Sequence, residues 1–222
     1  MEAYVQSLTH EIKSPVAAIA GASELLEEDN VPPAQKRRFL SNIRTESKRI
    51  QSLVDRMLTL CALEHRETIE RREIVDMNMV LADVLRRSGQ EVLTREICIV
   101  KILAMACECP GDAFLITQAV MNLFQNALEF SPRGAADTGV TLKRSGETVV
   151  VEIRDQGPGI PEFARNKIFD RFFSIQRPDT RKKSTGLGLN FVREIVLLHG
   201  GSIDVKNNPD FGVRAVLRLP AA

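Results

Sequence analysis

The chain lacks any apolar run approaching the ~20 residues that a membrane-spanning helix needs. Its longest candidate, Ile97 to Cys107, is short and is broken by Lys101. No secretory leader precedes His10, so the chain is expected to be soluble as given and, starting so close to that histidine, a portion of something longer. An excess of either charge is also missing: 30 basic against 29 acidic side chains remove any global electrostatic case for nucleic acid or an anionic membrane. The four cysteines, Cys61, Cys98, Cys107 and Cys109, form neither a CxxC pair nor a cysteine–histidine ligand set. Cys107 and Cys109 share a CxC without a second pair, which argues against a structural metal and for a reducing compartment. No internal repeat or low-complexity segment occurs.

What is present falls into two halves of different periodicity. In the first, Val5, Leu8, Ile12, Pro15, Ile19, Ala22 and Leu26 follow alternating three- and four-residue steps, a heptad seam. Asn30-Val31-Pro32-Pro33 breaks it, and a second seam runs through Phe39, Ile43, Ile50, Leu53, Met57 and Leu60, interrupted by Glu46. Two such seams cannot both be buried inside one hairpin, so residues 1–66 predict a helical hairpin that pairs with a second copy as a four-helix bundle. The register puts His10 on the face opposite the seam, exposed to solvent, with Lys13 and Ser14 on the same surface. Pro15 deletes one backbone bond within the helix, and because the spacing resumes at Ile19 it predicts a kink, not a terminus.

Residues 67–222 mix strands and helices. Strands are predicted at Ile69–Val75, Ile97–Leu103, Val140–Lys143, Val149–Asp155, Ser202–Lys206 and Val213–Leu219. Helices are predicted at Met77–Leu93, Asp112–Phe130 and Leu189–His199, the last closed by Gly200. The mixture predicts an α+β sandwich, with helices on one face of a mixed sheet.

Several polar positions invite chemistry, each with a plainer alternative. Asn122 and Asn126 share a helical face that otherwise looks apolar, where an amide carbonyl suits Mg²⁺ or both amides cap nearby backbone. Asp155 ends a strand and enters Gly157-Pro158-Gly159; a carboxylate there accepts from an exocyclic base amine, or simply closes a turn. Gly186-Leu187-Gly188 opens a helix whose free amides suit phosphate oxygens, with Lys182, Lys183, Ser184 and Thr185 upstream, although a flexible loop explains the glycines equally well. His199, at a helix end before Gly200-Gly201, reads as a structural imidazole favoured by the helix dipole. His65 has no visible partner. Phe169, Phe172 and Phe173 read as packing, with Arg171 a further candidate for phosphate.

The order of these elements, His-Glu-x-x-x-Pro, Asn-x-x-x-Asn, Asp-x-Gly-x-Gly, a Phe-rich segment and Gly-Leu-Gly-Leu, resembles the two-component sensor histidine kinases over nearly the whole chain. Leu8-Thr9-His10-Glu11-Ile12-Lys13-Ser14-Pro15 and Ser184-Thr185-Gly186-Leu187-Gly188-Leu189 are similar to the strings of CreC-type kinases. The resemblance implies a dimerisation and histidine phosphotransfer domain at 1–66 and a Bergerat-type ATP-binding domain at 67–222. His10 would take the γ-phosphoryl of ATP, with Glu11 orienting and deprotonating the ring. Asn126 would hold Mg²⁺, with Asn122 close to it. Asp155 would read adenine, Gly157 and Gly159 would shape the base pocket, and Phe130 would pack on the nucleotide. Residues 173–185 would be the ATP lid, with Gly186, Leu187 and Gly188 at the phosphates. The implied partners are a second copy and a response-regulator receiver domain whose aspartate accepts the phosphoryl group. The implied setting is the cytoplasmic portion of an inner-membrane sensor.

Two departures stand out. Glu129 occupies a position where many relatives carry a phosphate-contacting lysine, so that lid cations have to compensate. Ser14 replaces the Thr or Asn that commonly supports phosphatase activity on the regulator. Two rival readings remain open from sequence. One is an ATPase of the gyrase, Hsp90 or MutL kind, disfavoured because those enzymes place a glutamate at Asn122 and an amide cannot activate water. The other is a non-catalytic dimeric scaffold.

Overall fold

The structure is a computed structural model that describes residues 2–27, 31–64, 69, 72–104, 107–178 and 184–222. It divides into two compact units, Met1–Ala62 and Leu63–Ala222.

The first unit is built from α1 (Glu2–Leu26) and α2 (Pro33–Glu64). Pro33 opens α2 at the position where a missing N–H and a fixed φ are harmless. α1 runs unbroken through Pro15, which is buried. Burial follows the predicted seams: Ile12, Pro15, Ile19, Ala22 and Leu26 are shielded in α1, and Phe39, Ile43, Ile50, Leu53 and Met57 in α2, joined by Gly21, Glu46 and Arg49. Ala22 and Leu53 are buried outright, while Leu40, Val54 and Leu58 of α2 stay exposed. The side chains of Val5, Leu8, His10, Glu11 and Leu60 lie outside the described residues, as do Asn30 and His65. The orientation expected for His10 belongs with them.

The second unit contains β1 (Glu73–Asp76), α3 (Met77–Arg95), β2 (Ile99–Leu103), β3 (Glu108–Gly111), α4 (Ala113–Phe130), β4 (Thr138–Ser145), β5 (Thr148–Arg154), α5 (Gly188–Leu198), β6 (Ser202–Asn207) and β7 (Val213–Pro220). A single 3-10 turn covers Glu162–Ala164. Five strands form a mixed sheet in the order β2-β4-β5-β7-β6, with only β2 and β4 parallel. The helices lie side by side with α4 in the middle, and α4 and α5 pack on β5, β6 and β7. Register places Val140, Leu142, Val149, Val151, Ile153, Ala215, Leu217 and Leu219 on one face, all of them buried. The opposite face carries Lys143, Arg154, Arg214, Arg218 and Lys206 around Asp204 and a buried Glu152. Burial alone would raise the Glu152 carboxyl, but Arg214 and Arg154 hold it below its ordinary range.

Two strand expectations are corrected. Ile69–Val75 is not one strand; β1 begins at Glu73, and Asp76 ends it by accepting the Asn78 N–H as the cap of α3. Its partner β3 was not anticipated, because Glu-Cys-Pro-Gly has little strand character. β1 and β3 form a separate antiparallel pair, and two strands without a third tolerate Pro110 in the ladder. Cys107 and Cys109 are two apart and fully buried, and burial pushes the Cys109 thiol up to about 11. Their spacing is that of a pleat, and among the described residues no cluster of metal-ligating side chains occurs.

Candidate nucleotide site

α4 is the platform. Asp112 caps it by accepting the Leu115 N–H, and Leu115, Ile116, Ala119, Val120, Leu123, Phe124, Ala127 and Leu128 are buried, each worth ~1.5–3 kcal/mol for a larger side chain. That leaves Asn122, Asn126 and Glu129 along the remaining stripe, at i, i+4 and i+7. Asn122 does cap backbone: its Nδ2 donates to the Gln118 carbonyl at 2.8 Å. Its Oδ1 faces Gly188, where an added Cβ would come within 3.3 Å. Asn126 is half-buried and makes no hydrogen bond to the described residues, so the capping alternative holds for one amide and not for both. A lone uncommitted amide oxygen on a helix stripe suits Mg²⁺, which takes one or two protein ligands and fills its shell with phosphate and water.

Asp155 stands at the end of β5, 9% exposed. Its Oδ1 accepts the Gly157 N–H at 2.8 Å and the Val213 N–H at 3.0 Å. The turn-closing role is therefore real, and it occupies only one oxygen; among the described residues Oδ2 has no partner. Burial raises the carboxyl above its ordinary value, opposed by those two N–H groups. The loop is shaped by close approaches. A Cβ on Gly157 would meet the Phe130 carbonyl oxygen at 2.8 Å, which brings the end of α4 and half-buried Phe130 against the loop. Gly159 has φ +81° and lies against the Asn207 side chain.

The third element is the loop between Phe172 and Gly186. Its base is closed by the Phe172 N–H donating to the Gly186 carbonyl at 2.9 Å. Both residues have positive φ, and a Cβ on Gly186 would strike the Phe172 backbone at 2.4 Å. Gly186 is therefore required by packing, not only by flexibility. Ser184, Thr185, Gly186 and Gly188 are half-buried and Leu187 is fully buried. Leu187 caps α5 without any side-chain hydrogen bond, leaving first-turn amides for a ligand. Arg171 is exposed; Lys182 and Lys183 lie outside the described residues. In the first unit Lys13 and Ser14 are exposed, as their register requires.

Several residues of this region escaped the sequence reading. Asn207, at the end of β6, accepts the Ile160 N–H at 2.6 Å and donates to its carbonyl at 3.0 Å, pinning the loop after Gly159. Ser131 and Thr138 are fully buried, their hydroxyls 3.3 Å apart, with the Gln156 N–H donating to Ser131. Asn190 donates to the Phe169 carbonyl and ties the Phe-rich segment to α5. Arg177 pairs with Glu129 at 2.6 Å. None announces itself, since Asn, Ser, Thr and Arg at such positions are ordinary. His199 is structural for another reason than the dipole: its Nε2 accepts the Asp112 N–H at 3.0 Å and its Nδ1–H donates to the Ile195 carbonyl at 2.7 Å. The ring is neutral, and burial lowers its pKa.

An amide stripe, a carboxylate loop and a glycine-opened helix thus converge in one folded unit, downstream of a helical hairpin. Residues 111–222 match HATPase_c, the histidine kinase-, DNA gyrase B- and HSP90-like ATPase family, and residues 1–66 match HisKA, the His Kinase A (phospho-acceptor) domain. The chain is 36% identical over 222 residues to the sensor protein CreC of Escherichia coli strain K12, a match covering 99% of this chain and 45% of CreC. It is 32% identical to the mycobacterial sensor histidine kinase MprB, with a TM-score of 0.60 over 68% of this chain and 98% of that one. Over 98% of this chain and 61% of the other, the fold matches histidine kinase ThkA, solved in complex with response regulator protein TrrA, at a TM-score of 0.78 and 22% identity. The chain belongs to the sensor histidine kinases and carries their HisKA and ATPase domains in series. It spans about half the length of the curated relatives it matches.

Proposed function

We propose that this chain is the catalytic core of a two-component sensor kinase, which phosphorylates His10 from Mg-ATP and passes the phosphoryl group to an aspartate of a response regulator. Residues 1–66 are the dimerisation and phosphotransfer domain and 67–222 the ATP-binding domain. The observation that carries the reading is the convergence on α4: the free Asn126 amide, the Asn122–Gly188 contact and the half-committed Asp155 carboxylate belong to one site. Asp155 Oδ2 receives the adenine amine. Gly157 and Gly159 let the base approach the backbone, and Phe130 packs on it. Arg171, Lys182, Lys183, Ser184 and Thr185, with the amides of Gly186, Leu187 and Gly188, bind the phosphates. Mg²⁺, held by Asn126 with Asn122 beside it, supplies charge neutralisation at the phosphates when bound.

Neutral His10 is a competent nucleophile near physiological pH, since an unperturbed imidazole has a pKa of ~6.5. Glu11 orients the ring and favours the cation that develops as the N–P bond forms and the γ-phosphoryl leaves ADP. Ser14 orients a water for hydrolysis of the phosphorylated regulator. The exposed Leu40, Val54 and Leu58 of α2 favour a homodimer through the hairpin. Among the described residues no helix is long and apolar enough to cross a membrane, and we read the chain as the cytoplasmic portion of an inner-membrane sensor. The regulator partner is favoured by the ThkA–TrrA complex. A hydrolytic ATPase is disfavoured by the amide at Asn122, and a scaffold by the intact acceptor string.

The test is incubation with γ-labelled ATP and Mg²⁺. Label should appear on the protein, be lost in acid as a phosphoramidate is, and vanish in His10→Gln while nucleotide binding persists. Steady phosphate release without protein-bound label would favour the ATPase instead.

A further inference from the structure

Glu129 lies on the same stripe of α4 as Asn122 and Asn126, so a carboxylate stands where a nucleotide's phosphates would otherwise be repelled. The repulsion is answered locally. Arg177, in the first arm of the loop that closes at Phe172 and Gly186, sets a guanidinium nitrogen 2.6 Å from Glu129 Oε2. The two side chains are 27% and 15% exposed, so the pair is shielded, unlike a solvated surface bridge. Gln125 lies behind it, 3.5 Å from the other Glu129 oxygen and 2.8 Å from Glu91 of α3. Arg177 Nε is buried and, among the described residues, has no hydrogen-bond partner. A guanidinium has five donors in a fixed fork; one Nη serves Glu129, and the orphan Nε–H is left for an acceptor not yet in place.

We propose that Glu129 is a positioning residue, holding Arg177 over the Asn122–Asn126 stripe so that Arg177 is the cation meeting the nucleotide's phosphates. The inference rests on the nucleotide-site reading given above. The charge that a basic side chain on α4 would supply directly is supplied across the pair, from loop to helix. Desolvation raises the Glu129 carboxyl above its ordinary range, Glu91 adds to the rise, and Arg177 and Gln125 oppose it. Losing Arg177 therefore removes a cation and also leaves a poorly solvated carboxylate facing the phosphates.

The experiment is titration of the full chain with Mg-ATP and, separately, with adenosine, which carries no phosphate. Arg177→Ala should weaken ATP about tenfold or more, the loss of one charge-assisted contact, and leave adenosine unchanged. Adding Glu129→Lys to that variant should recover ATP binding, because the cation then stands on α4 itself. Unaltered ATP affinity in Arg177→Ala would overturn the proposal. So would equal losses for ATP and adenosine, which would mark a merely structural pair. A third contrary result is restoration by the reversed pair, Glu129→Arg with Arg177→Glu, without recovery by Glu129→Lys. If the unaltered chain binds adenosine and ATP not at all, the site reading itself fails.

Discussion

Replacing Asp155 separates two tasks that one carboxylate performs. Oδ1 accepts two backbone N–H groups, at 2.8 and 3.0 Å, while Oδ2, without a partner among the described residues, is the oxygen we propose for adenine. Asp155→Ala strips the acceptor from both buried donors, each costing ~1–3 kcal/mol when left unsatisfied, so a loss of about 2–5 kcal/mol in stability is expected. Asp155→Asn keeps a carbonyl oxygen for the same two donors. Burial opposes ionisation of the native carboxyl and raises its pKa, a desolvation cost that an uncharged amide does not carry. The expected change in stability for the asparagine variant is therefore below about 1 kcal/mol. Its ligand side behaves in the opposite way. An amide N–H₂ now faces the exocyclic amine of adenine, donor against donor, leaving two groups unpaired at ~1–3 kcal/mol each and lowering affinity roughly 100-fold. Thermal denaturation without ligand and calorimetric titration with ADP measure the two quantities separately. An asparagine variant that binds ADP like the parent would refute the base-reading role and leave Asp155 as a turn closer only.

Four further outcomes follow from backbone geometry, burial and exposure. Gly212 has φ +80°, and a Cβ there would lie 1.9 Å from the Asp155 carbonyl oxygen; Gly212→Ala should destabilise by more than about 2 kcal/mol in chemical denaturation. Gly146→Ala, at φ +59° in open space, should cost only ~1 kcal/mol by the same measurement. His199 is held neutral with its pKa depressed by burial, so the unfolded chain takes up the proton first; stability should be full above ~6.5 and fall as pH drops below it, by up to ~1.4 kcal/mol per unit, a slope that His199→Gln abolishes. Leu58→Glu, at a side chain 65% exposed in the single chain, should convert a dimer to monomer in analytical ultracentrifugation without loss of helical circular dichroism.

The sequence by itself determined the elements whose cause is local. The heptad spacing foretold the shielding of Ile12, Ile19, Ala22, Phe39, Ile43 and Leu53 in α1 and α2, and the 3.6-residue period foretold α3, α4 and α5, with Gly200 closing the last. The alternating runs marked β4, β5, β6 and β7, and the order of polar motifs pointed to the family. Where the cause was a distant neighbour, the sequence was silent. β3 exists because β1 offers it a ladder, and Cys107 and Cys109 are buried there. That Asp155 has one oxygen spent and one spare depends on Val213, 58 residues away. The Asn207 clip, the Ser131–Thr138 pair behind the loop and the Glu129–Arg177 bridge are likewise contacts between segments far apart in the chain. Local periodicity encodes which face of an element is apolar; which polar group meets which across the fold is fixed only when the sheet and α4 bring those segments within hydrogen-bond reach.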